Sequence, residues 1–170
     1  MTTIHPKNNT PAAIRAFLEK IVVNAGVGRA SQQEQFEGKV LPQIMKDIAA
    51  VTGQQPHPTR ATKSIAGFKI REGQIVGVRV TLRGAKMVDF FQRFNTIVLP
   101  RVRDFNGLAV SAIDKAGVLN IGLKEQYMFP EISPENSTFS FSLGVGIVPK
   151  IRDLAKAIAK YREMGVPLKK

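Results

Sequence analysis

The 170-residue chain has room for one ordinary domain, and its 44% hydrophobic and 22% charged residues fit a globular protein rather than a disordered one. It has no cysteine, which excludes a disulfide framework, a thiolate zinc site and a cysteine nucleophile. Twenty-five Lys and Arg against 13 Asp and Glu give a formal net charge of +12, which points to a polyanion as partner, either nucleic acid or an anionic membrane surface. The uncharged stretch Asn136 to Pro149 has 14 residues, laced with Gly and Ser, where a spanning helix needs about 20 apolar ones. The N-terminal MTTIHPKNNTP lacks the apolar core of a signal peptide. The expectation is a soluble cytoplasmic protein with no membrane partner, and nucleic acid becomes the default.

Thr10-Pro11 predicts a helix start, Thr as N-cap and Pro in the first turn, with a helix over about 11–19 carrying Ile14, Phe17, Leu18 and Ile21. Ile21-Val22-Val23 predicts the strand that follows. Ser31-Gln-Gln-Glu34 has the form of a capping box. Behind it Phe36, Val40, Leu41, Ile44, Met45 and Ile48 trace one helical face ending near Gly53. Pro42 lies inside that run and should kink it or remove a hydrogen bond, at about 3 kcal/mol. In Gln74 to Gly84 the period becomes two: Val76, Val78, Val80 and Leu82 point one way, and Ile75, Gly77, Arg79, Thr81 and Arg83 the other. A helix over about Ala85 to Val98 carries Met87, Phe90, Phe91, Phe94 and Val98, and Leu99-Pro100 should stop it.

Strands are expected near Leu108 to Ile113 and Val118 to Lys124, joined by the turn Asp114-Lys-Ala-Gly117. Thr138 to Val148 alternates cleanly, with Phe139, Phe141, Leu143, Val145 and Ile147 on one face and Thr138, Ser140, Ser142, Gly144 and Gly146 on the other. A last helix, about 150–164, turns Ile151, Leu154, Ile158 and Tyr161 inward and closes at Gly165. Half-buried strands need one covered face, and helices with single apolar stripes can cover it. The expected fold is therefore α+β, a two-layer sandwich with an open polar sheet face, spanning residues 1–170 as one domain.

The charge is concentrated. Between Arg60 and Arg103 there are ten bases and only two acids, Glu72 and Asp89. Arg79, Thr81 and Arg83 share the polar strand face, and guanidinium forks beside hydroxyls suit phosphate oxygens and sugar hydroxyls. The plainer alternative is a solvated face that serves solubility. The Ser, Thr and Gly row of the far strand would let a folded RNA approach closely, or is simply an ordinary strand with small outward residues. Phe residues fall on inward faces, so no aromatic platform for stacking single-stranded bases is expected.

Enzymatic readings lack parts. Gly26-Val-Gly28-Arg-Ala-Ser31 resembles a phosphate-cradling turn, but its third position is Ser and no acidic residue ends a strand some 20 residues on. A tight turn needing positive φ is the expected reason for these glycines. The two histidines, His5 and His57, have no second imidazole or carboxylate cluster nearby, and the acids Asp104, Asp114, Glu125 and Glu131 are scattered. No catalytic residue, metal site or cofactor is expected.

The runs Val22-Val-Asn-Ala-Gly-Val-Gly28, Thr52-Gly-Gln-Gln-Pro56, Thr59-Arg-Ala-Thr-Lys-Ser-Ile-Ala-Gly-Phe-Lys-Ile-Arg71, Val80-Thr-Leu-Arg-Gly84, Leu99-Pro-Arg-Val-Arg-Asp-Phe105 and Phe129-Pro-Glu-Ile132 occur in that order. Over about residues 20 to 132 the chain resembles the bacterial form of large-subunit ribosomal protein five, the universal 5S rRNA-binding family. The resemblance implies an antiparallel sheet and a structural role in the central protuberance, joining 5S rRNA to 23S rRNA. It also implies a mobile loop reaching P-site tRNA, a bridge to small-subunit ribosomal protein thirteen, other central-protuberance proteins as neighbours, and a monomer within the ribosome. By motif it implies Asn24, Gln54, Thr81 and Arg83 on the RNA-facing sheet, with Thr59, Lys63 and Ser64 nearby. Lys69, Arg71, Glu72 and Gly73 would form the tRNA-side loop, and Arg101 and Arg103 further rRNA phosphate contacts. Val118-Leu-Asn-Ile-Gly122 and the sequence after Ile132 depart from the family pattern. The alternatives are a free-standing RNA-binding regulator and a nucleotide-binding enzyme using the Gly26–Gly28 turn.

Overall fold

The strands are β1 (Leu18–Gly26), β2 (His57–Arg60), β3 (Ile75–Leu82), β4 (Leu119–Leu123) and β5 (Leu143–Pro149). They form an antiparallel sheet in the order β2-β3-β1-β5-β4. The computed structural model describes residues 9–32, 35–103, 105–135, 137 and 139–169; the expectations placed on His5, Glu34, Asp104 and Thr138 fall outside them. Alternation does the sorting. Val23 and Ala25, Val78, Val80 and Leu82, Leu119, Ile121 and Leu123, and Leu143, Val145 and Ile147 are buried, while Asn24, Gly26, Arg79, Asn120 and Gly122 are exposed. The helices α1 (Pro11–Phe17), α2 (Leu41–Thr52), α3 (Gly84–Arg93), α4 (Leu99–Arg101) and α5 (Leu154–Glu163) complete the expected α+β class.

Helix starts follow local chemistry. The Thr10 side chain accepts from the Ala13 N–H at 3.4 Å and Pro11 occupies the first turn, as predicted. The helix ends at Phe17, short of 19, because Leu18 is already extended and begins β1. Asp153 caps α5 by accepting from the Lys156 N–H, so the last helix begins at Leu154 rather than near 150. Its buried face is Ala157 and Tyr161, followed by Met164, whereas Leu154 is exposed and Ile151 and Ile158 only half-buried.

Both prolines within helical runs are accommodated by a widened turn. Residues Phe36–Val40 and Phe94–Val98 wind as π-helix, with the Leu41 and Leu99 N–H groups donating to Phe36 O and Phe94 O. One extra residue per turn separates each proline ring from the carbonyl with which it would collide in an α-helix. Pro42 therefore lies in the first turn of α2 instead of breaking a helix, and Leu99-Pro100 opens α4 instead of ending the preceding run.

The chain divides into two compact units. One takes the chain up to Val22, then Leu82–Ile121 and the part from Val145 onward; the other is Val23–Thr81 with Gly122–Gly144. In the first, Phe17 meets Tyr161 edge-on at 5.1 Å and Phe90 stacks with Phe94 at 5.7 Å. The buried Tyr161 hydroxyl faces the carbonyls of Gly117 and Ile147 at 3.1 Å each, and burial pushes its phenol up from the usual value. The predicted 108–113 strand is replaced by a 3-10 turn, Val110–Ala112, between two isolated bridges, Leu108 with Leu168 and Ile113 with Leu119. The predicted Asp114–Gly117 turn is present: Asp114 Oδ1 accepts from Ala116 and Val118 N–H at 2.9 Å, and Gly117 has φ +80°.

In the second unit a buried polar knot binds residues 126–141 to α2. Gln126 is fully buried, donates to Ser137 Oγ at 3.1 Å and Phe139 O at 2.8 Å, and accepts from the Phe141 N–H at 2.9 Å. Ser137 Oγ donates to Asp47 Oδ2 at 2.7 Å and accepts from Gln43 Nε2 at 2.7 Å. Because a side chain takes the Phe139 and Phe141 backbone groups, the strand predicted from 138 begins only at Leu143.

Candidate nucleic-acid interface

The polar face of the second unit is built by strand alternation. β2 pairs antiparallel with β3, placing His57 opposite Arg79 and Thr59 opposite Gly77; Arg60 then faces Ile75, so Val76 is bulged out of the ladder. The bulge reverses the alternation, and Ile75 is buried rather than sharing the face of Arg79 as predicted. Arg79 and Thr59 are exposed and Thr81 half-exposed among the described residues. Gln54 is held beside Thr81, donating from Nε2 to its carbonyl at 3.3 Å. Across β1, exposed Asn24 lies against β5: a Cβ on Gly144 would collide with the Asn24 side-chain amide. A Cβ on Gly77 would meet Ala25 O at 3.4 Å. Hydroxyl, amide and guanidinium groups thus stand on a surface kept low by glycine.

Beyond β2 the chain forms a hairpin tied at several levels. Ala61 N–H donates to Gln74 O at 2.8 Å, Gly73 N–H to Ala61 O at 2.9 Å, and Ile65 and Ile70 exchange both backbone bonds. Ser64 is spent internally, its Oγ accepting from the Glu72 N–H at 2.9 Å, and Arg60 Nη1 donates to Gly73 O at 2.9 Å. Gln74 accepts from the Arg71 N–H and donates to Ser31 Oγ at 2.7 Å. Gly73 has φ +80°, and Lys69 is in the left-handed region at φ +54°. Lys63, Lys69, Arg71 and Glu72 project from this frame, all exposed. Phe68 is also exposed, at 71%, against the expectation that every Phe turns inward. The Gly67–Lys69 segment has no period from which that outward direction could be read.

Electrostatics favour an anion. Among the described residues Lys63, Lys69, Arg71, Arg79, Arg101 and Arg103 are exposed and form no ion pair. In the first unit Arg83 approaches Glu19 at 3.8 Å, and the same carboxylate lies 3.6 Å from Lys20 and 3.7 Å from Arg152. Such loose, exposed pairs are readily exchanged for phosphate.

The glycine turn is not the helix-opening phosphate cradle of a dinucleotide-binding enzyme. Gly26 ends β1, neither it nor Gly28 has positive φ, and only the short 3-10 turn Ala30–Gln32 follows. The positive-φ explanation for these glycines is thereby corrected. The Ser31 hydroxyl donates to Gly28 O at 2.9 Å rather than capping a helix. No cluster of metal-ligating side chains occurs among the described residues, and no helix among them is long and apolar enough to cross a membrane.

Comparison with known proteins decides the family. Residues 15–71 match the model for ribosomal protein L5, and residues 75–168 match the model for the C-terminus of that same ribosomal family. The chain is 43% identical over 152 residues to large ribosomal subunit protein uL5 of Anaeromyxobacter sp. (strain K), covering 89% of this chain and 82% of that protein. With the same coverage it is 45% identical to uL5 of Rubrobacter xylanophilus and 43% identical to uL5c of Stigeoclonium helveticum. The chain belongs to the uL5 family. As a uL5 protein it is a structural constituent of the large ribosomal subunit, not an enzyme, and it resides in the ribosome with rRNA among its partners.

Proposed function

We propose that this uL5 chain binds 5S rRNA and links it to 23S rRNA in the central protuberance, the polar face of Asn24, Gln54, Thr59, Arg79 and Thr81 lying on RNA. Arg83, Arg101 and Arg103 add phosphate contacts. Lys63 and Ser64 lie beside that face and join the rRNA contacts, the loop of Lys69, Arg71, Glu72 and Gly73 is directed to P-site tRNA, and the bridge to small-subunit ribosomal protein thirteen completes the assignment. The observation that supports this most is the open strand face with exposed, unpaired Arg79 beside Thr81 and Thr59. Shape, 2′-hydroxyls and phosphates of folded RNA are what such a face can read.

The test is electrophoretic binding of the full chain to 5S rRNA and to a scrambled RNA of equal length. Affinity should be sub-micromolar for 5S rRNA and fall steeply with salt as counterions are released. Arg79→Ala with Thr81→Ala should cost about 2 kcal/mol, about 30-fold, while Lys156→Ala on α5 changes little. Equal affinity for the two RNAs, or a comparable loss from Lys156→Ala, would refute the assignment.

A further inference from the structure

A cleft of about 650 Å³ opens in the second unit between the end of β1 and the hairpin tip, with Gly26, Gly28, Arg29, Phe68, Lys69 and Ser142 among its lining residues. Its size suits a nucleotide. Each chemical part of a nucleotide has a counterpart there. The phenyl ring of Phe68, 71% exposed, offers a flat apolar face. Arg29 and Lys69 are exposed and form no ion pair among the described residues. The exposed Ser142 hydroxyl can meet a sugar hydroxyl or a base edge.

Two further observations separate this cleft from a chance hollow. Its glycines are not demanded by the backbone, since neither Gly26 nor Gly28 has positive φ. Nor are they demanded by protein neighbours: a Cβ on Gly26 would meet nothing within 4 Å, and one on Gly28 only Val76 O at 3.9 Å. Side chains would fit, and they would fill the cleft; their absence keeps the floor open. The wall is also held outward. Lys69 is the one non-glycine among the described residues with positive φ, its N–H donates to Ala66 O at 3.0 Å, and Gln32 Nε2 donates to Phe68 O at 3.4 Å. Strain retained at an exposed tip marks a conformation kept for contact rather than for packing.

We propose that this cleft receives one unstacked nucleotide of a bound RNA, its base stacked on Phe68 and its phosphate between Arg29 and Lys69. The inference rests on the RNA-binding reading above and adds a base-stacking site to a surface otherwise suited to backbone. The experiment measures affinity of the full chain for 5S rRNA and, separately, for tRNA, with thermal unfolding to show that each variant folds. Phe68→Ala and Phe68→Leu should each lose about tenfold, as expected for one base–aromatic stack, while Phe68→Trp keeps wild-type affinity. Gly26→Leu, which fills the floor from the other side, should lose a similar amount. The RNA whose binding falls is the one that supplies the nucleotide. Wild-type affinity of Phe68→Leu and Gly26→Leu for both RNAs would overturn the cleft while leaving the RNA-binding face intact. Failure of the unaltered chain to bind either RNA would overturn both.

Discussion

Replacing Gln126 by Leu tests how much of the second unit hangs on one side chain. The substitution keeps volume and removes polarity, so the effect is that of lost hydrogen bonds rather than of a cavity. Gln126 is fully buried and serves three partners: Ser137 Oγ, Phe139 O and the Phe141 N–H. Ser137 keeps its bonds to Asp47 and Gln43, and Phe139 O keeps a longer bond from Gln43 Nε2 at 3.4 Å. The buried Phe141 N–H loses its acceptor outright. One orphaned donor at about 1–3 kcal/mol and a weakened acceptor at about 1 kcal/mol give an expected loss of about 2–4 kcal/mol. That is a large share of the 5–15 kcal/mol by which a domain is usually stable. Urea unfolding should show a lower midpoint at unchanged slope. A loss below about 1 kcal/mol at constant slope would refute the reasoning, because it would mean that the backbone at 139–141 finds other partners when Gln126 is gone.

Gly144→Ala and Asn24→Ala should each weaken 5S rRNA binding several-fold, and the double variant should be no weaker than the worse single one, because the added methyl acts only by displacing the amide; additive losses would exclude this. Gly117→Ala should cost about 2–4 kcal/mol in chemical unfolding, combining φ +80° with a Cβ only 2.8 Å from that of Ala157. Tyr161 carries a raised phenol pKa, so its protonated form is favoured in the folded state, and the associated stability is complete below the ordinary value near 10 and declines as pH rises above it. Stability measured above pH 10 should therefore fall more steeply in the parent than in Tyr161→Phe, by up to about 1.4 kcal/mol per pH unit.

What the sequence displays is what neighbouring residues decide among themselves. Thr10-Pro11 starts α1 because the cap and the proline act within one turn. Arg79 and Thr81 were legible as outward residues because alternation survives wherever one strand face is buried. The junction near 18 was not, since Leu18 and Ile21 stand three residues apart, a helical spacing, yet both are buried within β1. Ile75 required the Val76 bulge, which is set by pairing with β2 and not by β3's own residues. The 108–113 segment has strand-like composition, but Leu108 exchanges its backbone bonds with Pro167 and Lys169, a partnership invisible at short range, while Ala112 and Ile113 bond back to Ala109 and Val110. In the candidate site, Phe68 was misread because apolar character alone implies burial, and only the tertiary frame of the hairpin turns the ring outward.

The paired π turns have a consequence for which changes the chain can tolerate. Each holds one more residue than an α-helical turn would, and the wider winding takes up a surplus that an α-helix would turn into a rotation of about 100°. Deleting a residue at Phe36–Val40 or Phe94–Val98 would restore an ordinary winding only by driving Pro42 or Pro100 into the preceding carbonyl. Losing Asn95 from the second turn would also release the tether from its Nδ2 to Gly165 O, at 3.2 Å, which ties this helix to the end of α5. Surplus residue and proline are therefore interlocked, and an alteration that spares the helix must change both together.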